Sequence, residues 1–372
     1  MQLQRVLNRV YSEKRPRIED LEFLLSLKTP DKRDALFDFA DRVRETHMGR
    51  GILLRGIVEF SNHCRNTCRY CGLNRFQDGL ERFRMTRDEV LACVRNIDEA
   101  GIKTVVLQSG EDPECDSGWL AELVFDIKEH FSGAVTLSVG EWTAEEYDLW
   151  RRAGADRYLL KIETTNPKLY RDLHPGMDHN FRLACLETLA SLDYQTGSGS
   201  IVGIKGQSVR DLAKDILYFS ESEFSMLGIG PFIPHSGTDM GREPPGGMDL
   251  ALKMLAVARI VTKNTHLPAT TALGSQSGSS AWKAALKAGA NVIMPNFTPA
   301  PYRRGYDIYP GRDRVAESPK SCVAVVESMA RSIRRTVDFC RGDSLKMNKR
   351  VFQADAGPFY FRKKSQGGDT IV

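Results

Sequence analysis

Over residues 1–50, apolar side chains recur at three- and four-residue spacing, across 18–27 and again across 34–43. That is the period of helices with one buried face. This stretch is expected to form a helical extension, with glycines at 49 and 51 marking its end. From residue 51 the pattern becomes a repeating unit: a short apolar run, a loop, then an amphipathic helix. Apolar runs at 51–60, 103–108, 134–139, 157–162, 198–202, 226–230, 268–272 and 291–295 read as strands. Thr86 with Glu89 and Thr143 with Glu146 have the spacing of capping boxes, which satisfy free amides at a helix start. Gly101, Gly154 and Gly289 stand where helices should end in a left-handed cap.

Eight strands alternating with helices predict an α/β fold: a closed (β/α)8 TIM barrel with an N-terminal helical extension and a C-terminal helical segment. A doubly wound open sheet is the alternative. The expected division is a helical cap over 1–50, the barrel over 51–310 and a closing segment over 311–372. That last part should hold a helix over 323–333 and a frayed polar end at 363–369. In such a barrel the chemistry sits at the C-terminal ends of the strands.

Composition narrows the function. The chain has 372 residues, 41% of them hydrophobic, enough for one large core. Lys and Arg total 52 against 48 acidic residues. This excess is too slight for a nucleic-acid partner, which needs a clustered basic face. No apolar run approaches membrane-spanning length, and the first ten residues lack a signal-peptide core. Cys93, Cys115, Cys185, Cys322 and Cys340 are scattered and read as reduced core or surface residues, so a cytoplasmic protein is expected.

The other three cysteines are different. Cys64, Cys68 and Cys71 lie on one loop, spaced C-x3-C-x2-C, directly after the first predicted strand. Four-cysteine ligation is the rule for clusters that only carry electrons. Three thiolates can hold three irons of a cubane and leave the fourth iron open to a small molecule. A zinc site would need a fourth ligand, and His63 is poorly placed beside Cys64 to close the same tetrahedron. A Cys68–Cys71 redox pair would leave Cys64 unexplained. The spacing, with Tyr70 before the last cysteine, resembles the signature of radical S-adenosylmethionine enzymes. The resemblance implies a [4Fe-4S] cluster on Cys64, Cys68 and Cys71, with S-adenosyl-L-methionine at the open iron.

Other candidates stand at the predicted strand ends. Strand two ends in Gln108-Ser109-Gly110-Glu111. Enzymes of this resemblance usually carry a Gly-Gly-Glu-like turn here that receives the methionine ammonium. Glu141 and Trp142 follow strand three and are either structural or cavity-lining. Strand four runs from Arg157 to Lys161, Ile162 and Glu163, and Arg182 follows. A rim carboxylate needs partners, and a cofactor offers them. The planar fork of an arginine suits a carboxylate, from Arg157 or Arg182. The glycines of 199–206, Gly203 among them, fit an expected adenine seat, and Ile229 belongs to an apolar wall that strand six adds. His235 reads as a hydrogen-bonded loop histidine. Thr270, Thr271, Met294 and Tyr306 should close the substrate side, with Asn296, Tyr302 and Arg303 nearby. The candidate catalytic residues are Glu163 and Tyr306.

Longer segments are similar to one family, the HydE-type maturases of [FeFe] hydrogenase. They are 59–73, 106–113, 154–160, 228–235, 268–272 and 291–296, and the likeness spans roughly 45–310. The later segments separate this family from biotin synthase and methylornithine synthase. The resemblance implies assembly of the hydrogenase active-site H-cluster. The substrate would be an iron–carbonyl–cyanide species carrying cysteine, whose sulfur the 5′-deoxyadenosyl radical attacks. Partners would be a tyrosine-cleaving maturase, a GTPase scaffold maturase and a reductant such as flavodoxin or ferredoxin. Two departures are visible. Only Cys322 remains where some members bind a second cluster, so no second cluster is expected. Ile162 stands where the family carries histidine. The alternatives are a same-fold amino-acid carbon-skeleton mutase and a non-catalytic iron–sulfur carrier.

Overall fold

The computed structural model describes residues 2–311 and 319–346. The polar end expected to fray lies outside the described residues. Eleven strands are present among the described residues: β1 (Gly51–Leu54), β2 (Gly56–Ser61), β3 (Thr104–Ser109), β4 (Ala134–Ser138), β5 (Arg157–Leu159), β6 (Gln195–Ser198), β7 (Ile201–Val202), β8 (Met226–Leu227), β9 (Gly230–Pro231), β10 (Val292–Ile293) and β11 (Thr336–Asp338).

Six of them form one parallel sheet in the order β2-β3-β4-β5-β6-β8. Single parallel bridges carry the ring onward: Met226 to His266, Pro268 to Val292, and Asn296 to Ile57. The sheet therefore returns to β2, as a barrel must. The closing segments are short for a physical reason. Pro268 and Pro295 have no N–H to give a ladder.

Four expected strands are broken. The run over 51–60 divides at Arg55: β1 pairs with β10 and β11, and β2 pairs with β3. Over 268–272 only the Pro268 bridge forms, and Thr271 opens a helix, Thr271–Ser277. The fifth and sixth runs each split, so β7 and β9 continue outward as a separate parallel pair above β6 and β8.

Both predicted capping boxes are present, Thr86–Glu89 and Thr143–Glu146. A third, Ser208–Asp211, opens helix Val209–Glu221. Gly101, Gly154 and Gly289 take positive φ after their helices. The N-terminal helices Gln2–Ser12, Ile18–Leu25 and Pro30–Met48 pack against helix Met248–Thr262, which is buried almost all round. Lys253 Nζ donates to Leu27 O at 2.9 Å across that contact.

After helix Pro319–Ser332, β11 adds to β1, and the chain then crosses the bottom of the barrel. Thr104 Oγ1 and Arg157 Nη2 donate to Arg341 O at 3.0 and 2.8 Å. Arg157 and Gln195 reach Asp343 Oδ1 at 2.9 and 2.8 Å. Thr104, Arg157 and Gln195 each begin a strand, so residues 341–344 strap the N-terminal mouth shut. Among the described residues no helix is long and apolar enough to cross a membrane.

Candidate active site

The cysteine loop leaves the C-terminal end of β2 and is held on several sides. Ser61 Oγ donates to Asp112 Oδ2 at 2.6 Å, and Arg84 donates to both oxygens of Asp112 at 2.7 and 2.8 Å. Arg65 N donates to Glu111 O at 2.9 Å, and Gly110 N to Ser61 O at 3.2 Å. The turn after β3 is thereby pressed against the loop. A Cβ on Gly110 would overlap His63 O and lie 2.8 Å from Cys64 Cβ. Only glycine fits this approach. Cys64, Cys68 and Cys71 are all half-buried.

Above the strands lies a cavity of about 340 Å³. Cys64, Cys71 and Tyr70 line one side, with Gln108, Ser109, Gly110 and Glu111 beside them. Lys161, Glu163 and Arg182 follow, and Thr270, Thr271, Met294 and Tyr306 form the far wall. Thr270 Oγ1 donates to Ile229 O at 3.3 Å.

Buried charge is concentrated on the near wall. Arg182 Nε donates to Glu141 Oε1 at 2.5 Å, and Nη1 to Lys161 O at 3.0 Å. Nη2 is 3.9 Å from Glu111 Oε1. Glu141 N–H in turn donates to Glu111 Oε1 at 3.0 Å. Burial acts to lower the Arg182 pKa, but the charges of Glu141, then Tyr170 and Glu111, outweigh it and drive it up. Gly140 is part of this frame: its φ is 91°, and a Cβ there would overlap Glu111 Cγ.

Glu163 has a left-handed backbone, φ 62°. Its N–H donates to Gly199 O at 3.0 Å and its carbonyl accepts from Ile201 N at 3.1 Å. Lys161 Nζ is 2.8 Å from its Oε2, so an ion pair stands at the cavity wall. The turn is braced by Asp215, which accepts from Thr165 N and Oγ1 at 2.7 and 2.6 Å and from Ser200 Oγ at 3.0 Å. Burial raises the Asp215 pKa to about 7.

The arrangement fits the expected cofactors. Cys64 and Cys71 face the same cavity as the Glu163 carboxylate and the Arg182 fork, charges that the amino and carboxyl groups of an amino-acid ligand can pair with. A cubane takes one thiolate per iron, so no gathering of donors around a single ion is required. Among the described residues no group of three or more His, Cys, Asp or Glu is placed for one ion.

Three expectations about this site are corrected. Arg157 begins β5, at the opposite end of the barrel from the cysteine loop, and belongs to the strap. Ile229 points into the core, while its neighbours Gly228 and Gly230 line the cavity; alternation along an extended chain separates them. Gly203 lies past the wall in a turn closed by Gln207 Oε1, 2.7 Å from its N–H, and Ile201 takes the lining position. Ile162 is a core residue whose N–H donates to Ser198 Oγ at 3.1 Å. His235 pairs with Asp307 at 2.9 Å, as a loop histidine should. Sequence reasoning left Glu141 undecided and passed over Tyr170 and His174. Glu141 lies in the loop after β4, 41 positions from its partner Arg182, so its sequence neighbourhood carries no signal of the pair.

Residues 58–219 match the Radical SAM superfamily. The [FeFe] hydrogenase maturase subunit HydE of Thermotoga maritima is 45% identical over 317 residues, covering 85% of this chain and 90% of that protein. The 3-methylornithine synthase of Methanosarcina barkeri is 27% identical over 326 residues, covering 86% and 91%. The solved structure of methylornithine synthase (PylB) superposes with a TM-score of 0.78 at 23% identity, covering 90% of this chain and 97% of that one. HydG, a maturase of the [FeFe]-hydrogenase, gives 0.79 at 19% identity, covering 91% and 76%. Both superpositions show the fold.

The protein is a radical S-adenosylmethionine enzyme, a class that uses a [4Fe-4S] cluster and S-adenosylmethionine. Within that class the chain belongs to the family of the [FeFe] hydrogenase maturase subunit HydE.

Proposed function

We propose that this enzyme acts in assembly of the [FeFe]-hydrogenase H-cluster, on an iron–carbonyl–cyanide complex that carries cysteine. The observation that supports this most is the two-sided cavity. Its near wall is charged and lies against the cysteine loop, while its far wall offers two threonines, a methionine and a tyrosine. The 45% identity to a HydE subunit agrees with it.

In this reading Cys64, Cys68 and Cys71 hold the cluster. Gln108, Ser109, Gly110 and Glu111 receive the ammonium of S-adenosylmethionine, Arg182 its carboxylate and Glu163 a further donor. When bound, these cofactors supply a 5′-deoxyadenosyl radical, whose target is the substrate sulfur. Arg182 is already fixed by Glu141 and Lys161 O, so little side-chain entropy is lost when a carboxylate meets its remaining donors. Thr270, Thr271 and Tyr306 can donate to cyanide or carboxylate, and Met294 gives a soft apolar contact. The apolar walls Leu73, Ile201 and Phe232 keep water from the reacting atoms. The expected partners are the tyrosine-cleaving maturase, the GTPase scaffold maturase and a flavodoxin or ferredoxin, in the cytoplasm.

The test incubates anaerobically reconstituted enzyme with the iron complex and labelled S-adenosylmethionine. An adenosyl group bonded to substrate sulfur is expected. In a parallel reaction supplied with lysine or another free amino acid, 5′-deoxyadenosine carrying substrate hydrogen together with a rearranged amino acid would overturn the reading in favour of a mutase.

A further inference from the structure

His174 lies against the middle cysteine of the loop, and no step above uses it. It is 2% exposed, and its Nδ1 is 3.1 Å from Cys68 Sγ. Two hydrogen bonds bracket this contact. Thr67 Oγ1 donates to Pro175 O at 2.6 Å, and Arg69 N donates to Leu173 O at 3.0 Å. The residues on either side of Cys68 are thus tied to the residues on either side of His174. The ring itself is fixed. Its face lies over Tyr170 at 4.5 Å and it meets Tyr70 edge-on at 5.5 Å. His174 N–H donates to Tyr170 O at 2.9 Å, closing helix Pro167–Leu173.

We propose that His174 is a positioning residue for the cluster, donating Nδ1–H to the Cys68 thiolate and so raising the cluster's reduction potential. The proposal rests on reading Cys64, Cys68 and Cys71 as its ligands. A ligating thiolate has no proton and can only accept, so the proton must stand on Nδ1. Nε2 is buried without a partner. Here the orphaned nitrogen costs free energy that a charge-assisted bond on the other nitrogen offsets. An electron added to the cluster increases the negative charge on its sulfurs. A fixed N–H dipole stabilises that state more than the oxidised one, so the potential rises.

The test is an EPR-monitored redox titration of anaerobically reconstituted full-length protein without S-adenosylmethionine. His174→Phe keeps a ring against Tyr170 and removes the donor, while His174→Gln keeps an N–H. His174→Phe should hold about four irons per chain. At the parent's midpoint its reduced-to-oxidised ratio should fall about tenfold, 59 mV for one electron. His174→Gln should lie nearer the parent. A full cluster with an unchanged potential in His174→Phe would overturn the proposal. If His174→Phe loses iron, the reduced parent labelled with 15N-histidine decides. A pulsed-EPR coupling to an imidazole nitrogen, absent in His174→Gln, supports the bond; no coupling in the parent removes it. A parent with no four-iron signal overturns the ligand reading itself and the proposal with it.

Discussion

Arg182 Nε stands 2.5 Å from Glu141 Oε1, and both side chains are less than a tenth exposed. The pair joins the loop after β4 to helix His179–Ser191. It also changes the meaning of Arg182. The arginine is not a free fork awaiting a ligand. It is a fixed one, aimed by Glu141 and Lys161 O, with Glu111 close by.

Removing one partner of a buried ion pair leaves the other charge unpaired, which typically costs roughly 3–5 kcal/mol. Arg182→Ala should therefore lower stability by about 3 kcal/mol in urea unfolding and also weaken S-adenosylmethionine binding. Glu141→Gln keeps an acceptor and should cost less. Equal unfolding midpoints for Arg182→Ala and the parent would show that the pair is not what holds this wall.

Glu163 should act on affinity more than on stability, because its ion-pair partner Lys161 is 29% exposed and water takes up part of that contact. Its carboxylate lines the cavity beside Lys161, and its backbone is set by Gly199 and Ile201. Glu163→Gln keeps the size and loses the charge. A lost charge-assisted bond is worth roughly 1.5–3 kcal/mol, so affinity for S-adenosylmethionine should fall about tenfold or more. Iron content should stay at the parent's level. An unchanged dissociation constant by calorimetry would remove Glu163 from the site.

Gly110 offers a steric test of the cysteine loop. Gly110→Ala must move His63 or Cys64, because both stand where the Cβ would go. Iron bound per chain after reconstitution should fall, with far-ultraviolet circular dichroism unchanged. Gly79→Ala is the control, since nothing lies within 4 Å of a Cβ there. Full iron loading in Gly110→Ala would mean the loop has room that the structure denies.

Asp215 predicts a pH effect. Burial raises its pKa from 3.8 to about 7, and the bonds from Thr165 and Ser200 oppose the rise without cancelling it. The folded state thus holds this proton more tightly than the unfolded chain. Its contribution is present below about pH 4 and is lost as pH rises towards 7. Histidines 174 and 266 have lowered pKa values and act in the opposite sense. The parent's profile therefore mixes both. Asp215→Asn removes only the carboxyl: relative to the parent, it should gain stability in urea as pH goes from 5 to 8. A pH-independent difference between the two proteins would place the Asp215 pKa near its ordinary value.

The sequence shows some of this directly and hides the rest for physical reasons. Thr86–Glu89 and Gly101 were readable because a helix end is satisfied by residues within four positions. The cysteine loop was readable for the same reason, since a cluster needs thiolates at short spacing. The strand expected over 268–272 failed because one proline and one helix start sit inside an apolar run. Glu141, Tyr170 and His174 gain their places from partners 20 or more residues away, Arg182, Glu141 and Cys68. The strap is hidden more deeply still, because Asp343 meets Arg157 across 186 positions.

Arg157 stands at the start of β5, away from the cysteine loop, and it gives the sharpest separation of stability from binding. Read locally, an arginine on a barrel strand suits a ligand carboxylate. In the fold it is 2% exposed at the bottom, donating to Thr104, Gln195, Arg341 O and Asp343. Arg157→Ala should thus lower stability by roughly 2–4 kcal/mol, through several lost bonds to a buried charge. Asp343→Ala should cost less, about 1 kcal/mol, because its side chain is 43% exposed and water replaces part of the contact. The two losses should not add, since the residues share one bond. Affinity for S-adenosylmethionine should be unchanged in both once the proteins are compared well below their unfolding temperatures. A tenfold loss of affinity in Arg157→Ala without loss of stability would return this arginine to the cofactor.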